Sequence, residues 1–291
     1  MKHSVYQVVD ELPRVRSTAE IAALIRSRPE LKWAALLDTI FDHDSRRLDL
    51  GSPGLNCYDF PELQALGAVA PHLIGIAPDD TMETQISRLI THCQGRPMLS
   101  FIGTARSLED VIEAWRAVHM VSVVDEQKML LRFADTRVLA YLPAILQASQ
   151  WERMCGAVGC WAYFDRCGNL AILDIPGCET SGADIQIDRE QLGALLEASQ
   201  PDALMALIAD QMFDIVPWKQ VASERYTMVN DACKLAKRFA IDDHADVLAL
   251  AVAAYLSEGA SNSNPHLNAL LGQRAWPSGS LGSAVVDAEI V

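Results

Sequence analysis

The chain has 291 residues, half of them hydrophobic, and carries 38 acidic against 24 basic side chains for a formal net charge of −14. That length and apolar share suffice for one large core or two smaller ones. The acidic excess disfavours nucleic acid or an anionic membrane surface as a partner, since both call for a basic face. Seven cysteines, an odd number with no C-x-x-C pair, read as reduced thiols rather than a disulfide framework. Cys155, Cys160 and Cys167 invite a metal reading, but their neighbours are Ala, Val, Trp and Tyr, which suits buried thiols better. The first residues (MKHSVYQVVDELPR) lack the apolar stretch of a secretion signal, and the longest apolar run, Val247 to Leu256, is too short to span a bilayer. A cytoplasmic protein is expected.

Taken in order, Ser17 with Glu20 forms a capping box that predicts a first helix over residues 18–28. Trp33 to Leu37 is a short apolar strand, and Asp42 to Gly54 a polar loop. Thr81 precedes a helical stripe of Met82, Ile86, Leu89, Ile90 and Cys93 that stops near Gly95. Met98 to Ile102 is another strand. Ser107 with Asp110 then caps a helix carrying Leu108, Val111, Ile112 and Trp115. The β-branched run Val118 to Val124 predicts a strand, Asp125 to Gln127 a turn, and Met129 to Phe133 the returning strand. Asp135 is placed to cap a helix with apolar positions at Val138, Leu139, Leu142, Ile145 and Leu146. Gly159 to Phe164 and Leu170 to Leu173 read as a hairpin turning at Cys167-Gly168-Asn169.

After Pro176 the composition shifts, and the remainder reads as helical. Leu192, Leu195 and Leu196 fall in one helix, Pro201-Asp202 opens a second, and Pro217 separates it from a long helix through Phe239. Asp242-Asp243 starts the apolar Val247 to Leu256 helix, Gly259 stops it, and Pro265 begins a last short helix. The expected division is an α/β N-terminal lobe over 1–176, a mixed sheet with flanking helices. A linker follows over 177–184, then an all-α C-terminal lobe over 185–273 and a flexible tail over 274–291.

The segment from Ser107 to Pro143 resembles the hallmark of the type VI secretion adaptor-chaperones of the Tap/Tec type. That pattern is a helix opening Ser-Leu-Glu-Glu and carrying His-Leu-Arg, a hairpin, then Arg-Phe/Tyr-x-Asp-Pro-Arg-Val-Leu. The matching residues are Ser107, Leu108, Glu109, Arg116, Arg132, Phe133, Asp135, Arg137, Val138 and Leu139. The departures are Ala114 for the His, Asp125-Glu126 for Asp-Gly, and Thr136 for the Pro, a mild change at a first helical position. LKWAALLD ending at Asp38 resembles the family's early strand, APHLIGI its Ala-Pro-Tyr-Leu-Val strand, and MCGAVGCW sits where it has Phe-Gly-Pro-Ile. Gly259 and Pro265 loosely match the family's helical C-terminal region. The resemblance covers residues 30–170 in the main. It implies a non-catalytic adaptor that binds an effector and loads it onto a VgrG-type spike, sometimes with a PAAR-type tip.

Within that reading, Asp38, Arg116, Arg132, Asp135 and Arg137 are structural-motif residues, with Asp135 a helix cap and Arg132 and Arg137 each pairing with Asp38 or Asp135. Trp218, Arg225 and Tyr226 near the start of the long helix, and Trp276 in the tail, are candidate partner contacts, because such side chains are over-represented at binding hot spots. No catalytic residue, metal site or cofactor is assigned. Two other classes stay open: a small hydrolase or metal enzyme using Asp42-His43-Asp44 or Asp242-Asp243-His244, and an immunity-type inhibitor that binds a toxin. The sequence carries no G-x-S-x-G, P-loop, H-E-x-x-H or dinucleotide fingerprint.

Overall fold

Strand β1 (Lys32–Asp38) is buried at every position after its first residue, so both of its faces must be covered. It is one of the two central strands of a six-stranded sheet of order β2-β3-β1-β4-β7-β8, in which β2 is Leu55–Asn56, β3 Pro71–Ile76, β4 Leu99–Thr104, β7 Cys160–Phe164 and β8 Leu170–Leu173. Every ladder is antiparallel, and β1 pairs Ala35 with Ile74 on one side and with Phe101 on the other. The computed structural model describes residues 8–42, 54–176, 185–212 and 220–290. They form two compact units, Val9–Leu196 and a second one from Glu197 onward. The α/β lobe followed by helices expected from the sequence is what the chain forms.

Pleat alternation divides the sheet residues between its faces. Ala34, Leu36, Leu73, Ile102 and Trp161 join one cluster with Val111, Trp115 and Val118 of helix α3 (Leu108–His119). Trp115 and Trp161 stack at 5.3 Å, Phe133 meets Trp115 edge-on at 5.0 Å, and each indole N–H is satisfied, Trp115 by the Met154 carbonyl at 3.1 Å and Trp161 by Ser100 Oγ at 3.0 Å. The opposite phase (Trp33, Ala35, Leu37 and Phe101) is also buried. It is left for α1 (Arg14–Ser27) and α2 (Met82–His92), which pack on each other and contribute Ile21, Ile25, Ile86, Leu89 and Ile90 as buried stripes.

Helix α1 starts a turn before the expected 18–28. Pro13 is its N-cap, Ser17 N donates to the Pro13 carbonyl, and Ser17 is buried inside the helix, so the Ser17–Glu20 capping box does not form. Glu20 instead pairs with Arg16 at 3.4 Å one turn back. The Ser107–Asp110 capping box on α3 forms as read. That helix runs on to His119, because Val118 falls in phase with Val111 and Trp115, and the following hairpin is correspondingly short: β5 (Met120–Ser122) against β6 (Lys128–Leu130), turning through Asp125 at φ 61°. Asp135 caps a helix as expected, but Pro143 divides the segment into α4 (Thr136–Leu139) and α5 (Leu142–Ile145), with Pro143 in the first turn of the second. Helix α6 (Ala148–Cys155) leads into β7. At the β7–β8 turn Asp165 Oδ1 accepts the amides of Cys167 and Asn169 while Gly168 adopts φ 76°.

The expected linker, 177–184, lies outside the described residues. The division itself falls further along than expected, between Leu196 and Glu197. Ile185 and Ile187 belong to the α/β core, and Ser122 exchanges backbone hydrogen bonds with both. Helix α7 (Arg189–Gln211) is continuous through Pro201, where a second helix was expected. Proline removes one i→i−4 bond, and here the chain does not restart.

The second unit holds α8 (Ala222–Arg238), α9 (His244–Leu256), α10 (Pro265–Gln273) and α11 (Leu281–Asp287). Asp243 and Asn264 cap α9 and α10 through their side chains, and Gly259 stops α9 in the left-handed region at φ 87°. The expected flexible tail is the largest departure. Residues 281–287 are helical, with Leu281 and Val285 buried, and α11 packs on α9.

Candidate functional site

Four of the five structural-motif residues meet at one end of the central strands. Asp38 closes β1 with its side chain buried, and its Oδ2 lies 2.8 Å from Arg132 Nη2. Arg132 comes from the segment after β6 and is 3.9 Å from Asp135 Oδ2. Asp135 receives Arg137 twice, Nε to Oδ1 at 3.0 Å and Nη2 to Oδ2 at 2.7 Å, and its Oδ1 also accepts the Arg137 amide at 3.0 Å as the α4 cap. The expected pairing of these two arginines with these two carboxylates is the one present. The result is a chain of alternating charges with both carboxylates buried and both arginines partly exposed, in which one aspartate caps a helix and takes a bidentate fork. Burial pushes the Asp38 carboxyl above its ordinary range, with Arg132 pulling the other way.

A side chain the sequence reading missed completes the cluster. Phe41 is buried, and the guanidinium carbons of Arg132 and Arg137 lie 5.5 and 5.4 Å from its ring centroid. The next residue, Asp42, is 2.9 Å from His92 Nε2 and 2.8 Å from Arg96 Nη1, and Arg96 also donates to the Phe41 carbonyl at 3.1 Å. Burial alone would raise Asp42; the hydrogen bonds and charges of His92 and Arg96 hold its carboxyl below the usual range. His43, the other half of that polar cluster, lies outside the described residues. A 50-residue separation between Asp42 and His92 leaves no local signal by which their pairing could be read.

Arg116 is not part of this constellation. It is exposed on α3, pairs with Glu62 at 3.1 Å and Glu113 at 3.8 Å, and covers the Phe60 ring at 4.9 Å. Of the candidate partner contacts, Trp218 lies outside the described residues. Arg225 is buried and donates to the Gln220 carbonyl, while Tyr226 is half-buried. Beside Arg225 sits Tyr255, whose hydroxyl burial raises to about 12 against the opposing pull of Arg225. Trp276 is not a loose anchor. Its Nε1 donates to Asp246 Oδ2 at 3.0 Å, and buried Asp246 also accepts the amides of Gly279 at 3.1 Å and Leu281 at 2.8 Å.

The Asp242-Asp243-His244 cluster resolves into a helix start. Asp243 accepts the amides of Ala245 and Asp246 and the Ser278 hydroxyl at 2.8 Å, and the Ser278 bond leads in holding its carboxyl below the ordinary range. Cys57, Cys93, Cys155 and Cys160 are buried free thiols whose pKa values burial raises. Among the described residues, no three His, Cys, Asp or Glu side chains come together as metal ligands, and no helix is long and apolar enough to cross a membrane.

The stretch that carries this geometry, from the middle of the sheet through the hairpin to α6, is also the one that matches a family model. Residues 34–153 match the family model described as a domain of unknown function, DUF4123. The DUF4123 match opens inside β1 and closes on Arg153 in α6, so it takes in Asp38, Arg116, Arg132, Asp135 and Arg137 and leaves out the helical unit. No curated protein and no solved structure matches the chain.

Proposed function

We propose that the chain is a non-catalytic cytoplasmic adaptor that binds a type VI secretion effector and loads it onto the VgrG-type spike, with a PAAR-type tip as a further partner. The observation that carries this reading is a coincidence of position. The DUF4123 match falls on the stretch whose ordered motifs resemble the adaptor-chaperones, and four of those motif residues converge in space at Asp38 and Asp135. Its carboxylates are buried and paired, which suits a scaffold that holds two surfaces in place.

The physical logic is a coupling of interfaces. An effector with exposed apolar surface aggregates unless covered, and a bridging protein raises its local concentration at the spike. Release at loading favours moderate affinities over obligate, core-like interfaces. The strongly acidic surface directs the protein towards polypeptide partners and away from nucleic acid and anionic lipid.

Co-purification tests the reading. The protein is expressed with candidate spike and effector, separately and together, and a complex containing all three is expected. Recovery of the protein with a tightly held metal or nucleotide, and with no affinity for any secretion component, would overturn it.

A further inference from the structure

Two recesses of the α/β unit share a wall at Ser122 and Lys128. One, of about 580 Å³, has an apolar side formed by Phe60, Leu63 and Met120 and a charged side formed by Arg116, Lys128 and Arg153 with Glu62 and Glu113. The other, of about 920 Å³, adds Arg189 and Asp188 beyond the same hairpin residues. The first recess holds three cations against two carboxylates, in a chain whose net charge is −14.

The three cations are not equivalent. Arg116 is engaged by Glu62, Glu113 and the Phe60 ring. Glu62's own amide and then Arg116, with Lys128 further off, hold the Glu62 carboxyl below its ordinary range, so Lys128 already faces a charge. Arg153 has no such arrangement. It is half-buried on α6, its Nε is shut off from solvent, and no hydrogen-bond acceptor meets that nitrogen. Among the described residues no carboxylate forms an ion pair with it. A guanidinium presents its donors in a planar fork that matches a carboxylate, and a partly desolvated cation without a counter-charge is the group that gains most from one.

We propose that this groove docks an acidic segment of a partner polypeptide, with a carboxylate taken by Arg153 and Lys128 and apolar side chains laid against Phe60, Leu63 and Met120. The proposal rests on the adaptor reading only for the premise that a polypeptide docks here. The chemistry of the segment follows from the groove. It also refines the expectation from net charge: most of this surface selects neutral or basic partners, and this one recess selects the opposite sign.

The test is fluorescence anisotropy with a short fluorescein-labelled peptide of alternating Asp and Leu, and the same peptide with Lys for each Asp. Wild-type protein should bind the Asp peptide with an affinity that falls as salt rises and depends on Arg153, whereas any binding of the Lys peptide by the acidic remainder of the surface should be indifferent to Arg153. Arg153→Met should weaken binding by about tenfold or more, with Arg153→Lys intermediate. Lys128→Met, at an exposed position that leaves the core untouched, supplies the same readout if the Arg153 variant does not fold. Binding of the Asp peptide by both Met variants as tight as by wild type, no binding by wild type, or tighter binding of a single-stranded DNA oligonucleotide than of the Asp peptide would overturn the proposal. Capture of effector and spike by wild type that ignores the Asp peptide sinks the groove and leaves the adaptor reading standing. Arg153-dependent binding of the peptide without capture of any secretion component does the reverse.

Discussion

Arg132 Nη2 sits 2.8 Å from Asp38 Oδ2, so a residue just past the β5–β6 hairpin is tied to the last residue of the central strand β1 across 94 positions of sequence. The same arginine and its neighbour Arg137 share the Phe41 ring, and Asp135 stands between the two guanidiniums. Removing Arg132 takes the ion-pair partner from buried Asp38, and removing Arg137 takes the bidentate partner from buried Asp135.

Asp135→Ala should therefore lower stability by roughly 3 kcal/mol, since it deletes both the α4 cap and the buried partner of Arg137. Asp135→Asn keeps a cap acceptor and should lose less. Urea unfolding of the three proteins measures the order, and partner capture below the transition should be intact in each. Unchanged unfolding with lost capture would make Asp135 an interface residue.

Asp42 gives a pH signature. Its folded-state pKa lies below the ordinary 3.8, so its contribution is fully present above that value and is lost as pH falls through the lower, folded one. Asp42→Asn should cost roughly 1–3 kcal/mol at neutral pH, because it removes a charged partner of Arg96. The gap to wild type should close in acid. Thermal melts of both proteins from neutral pH down to the acid limit of folding test this, and a gap that widens in acid would contradict it.

His119 should behave in the opposite sense to a useful histidine. It is buried between Tyr58 and Phe133, at 4.8 Å from each ring, and neither ring nitrogen has a hydrogen-bond partner. Burial lowers its pKa to about 3 from 6.5. The stability linked to keeping it neutral is present above 6.5 and is lost as pH falls from there towards 3, because the unfolded chain takes up the proton first. His119→Phe keeps the ring stack, removes two unsatisfied nitrogens and should flatten that slope. At neutral pH it should be neutral or stabilising by about 1 kcal/mol. A slope identical to wild type would locate the acid sensitivity elsewhere.

Asp246→Ala should free the C-terminal segment, because Trp276, Gly279 and Leu281 all donate to that one carboxylate. Amide exchange should rise in α11 while protection in β1 and β4 stays as it was. Roughly 2–4 kcal/mol of local stability is at stake for a buried acceptor with three donors. Loss of protection spread evenly over both units would argue against a local staple.

What could be read in the sequence was what rests on neighbours a few residues apart. The Ser107–Asp110 capping box, the Asp135 cap and the hairpin turn at Cys167-Gly168-Asn169 are such features, and each formed where its residues stand. The pairing of Arg132 and Arg137 with Asp38 and Asp135 followed from strand ends meeting. The hidden features depend on distance. Asp42 looked like half of a local His–Asp site, yet its partners His92 and Arg96 arrive from the far end of α2 and the residues just beyond it. Helix α11 has only Leu281 and Val285 as buried positions, too few for a periodic signal, and it is ordered by Asp246 on another helix. Ser17 and Glu20 had the spacing of a box, but burial of Ser17 and the i,i+4 attraction of Arg16 favoured an earlier start.

The ladder order has a bearing on how the molecule is made. Of the six strands of this sheet β1 is the first to be made; it waits for β3 and then for β4, and β4 in turn waits for β7, whose last residue is Phe164. Pairings this far apart form slowly, because the chain between them must be closed first. Until Phe164 emerges, β4, an apolar strand paired with β1 on one side, has its other edge exposed to whatever else is being synthesised nearby. A protein whose proposed task is to shield others from aggregation would thus pass through a window, early in its own synthesis, in which it has the same vulnerability.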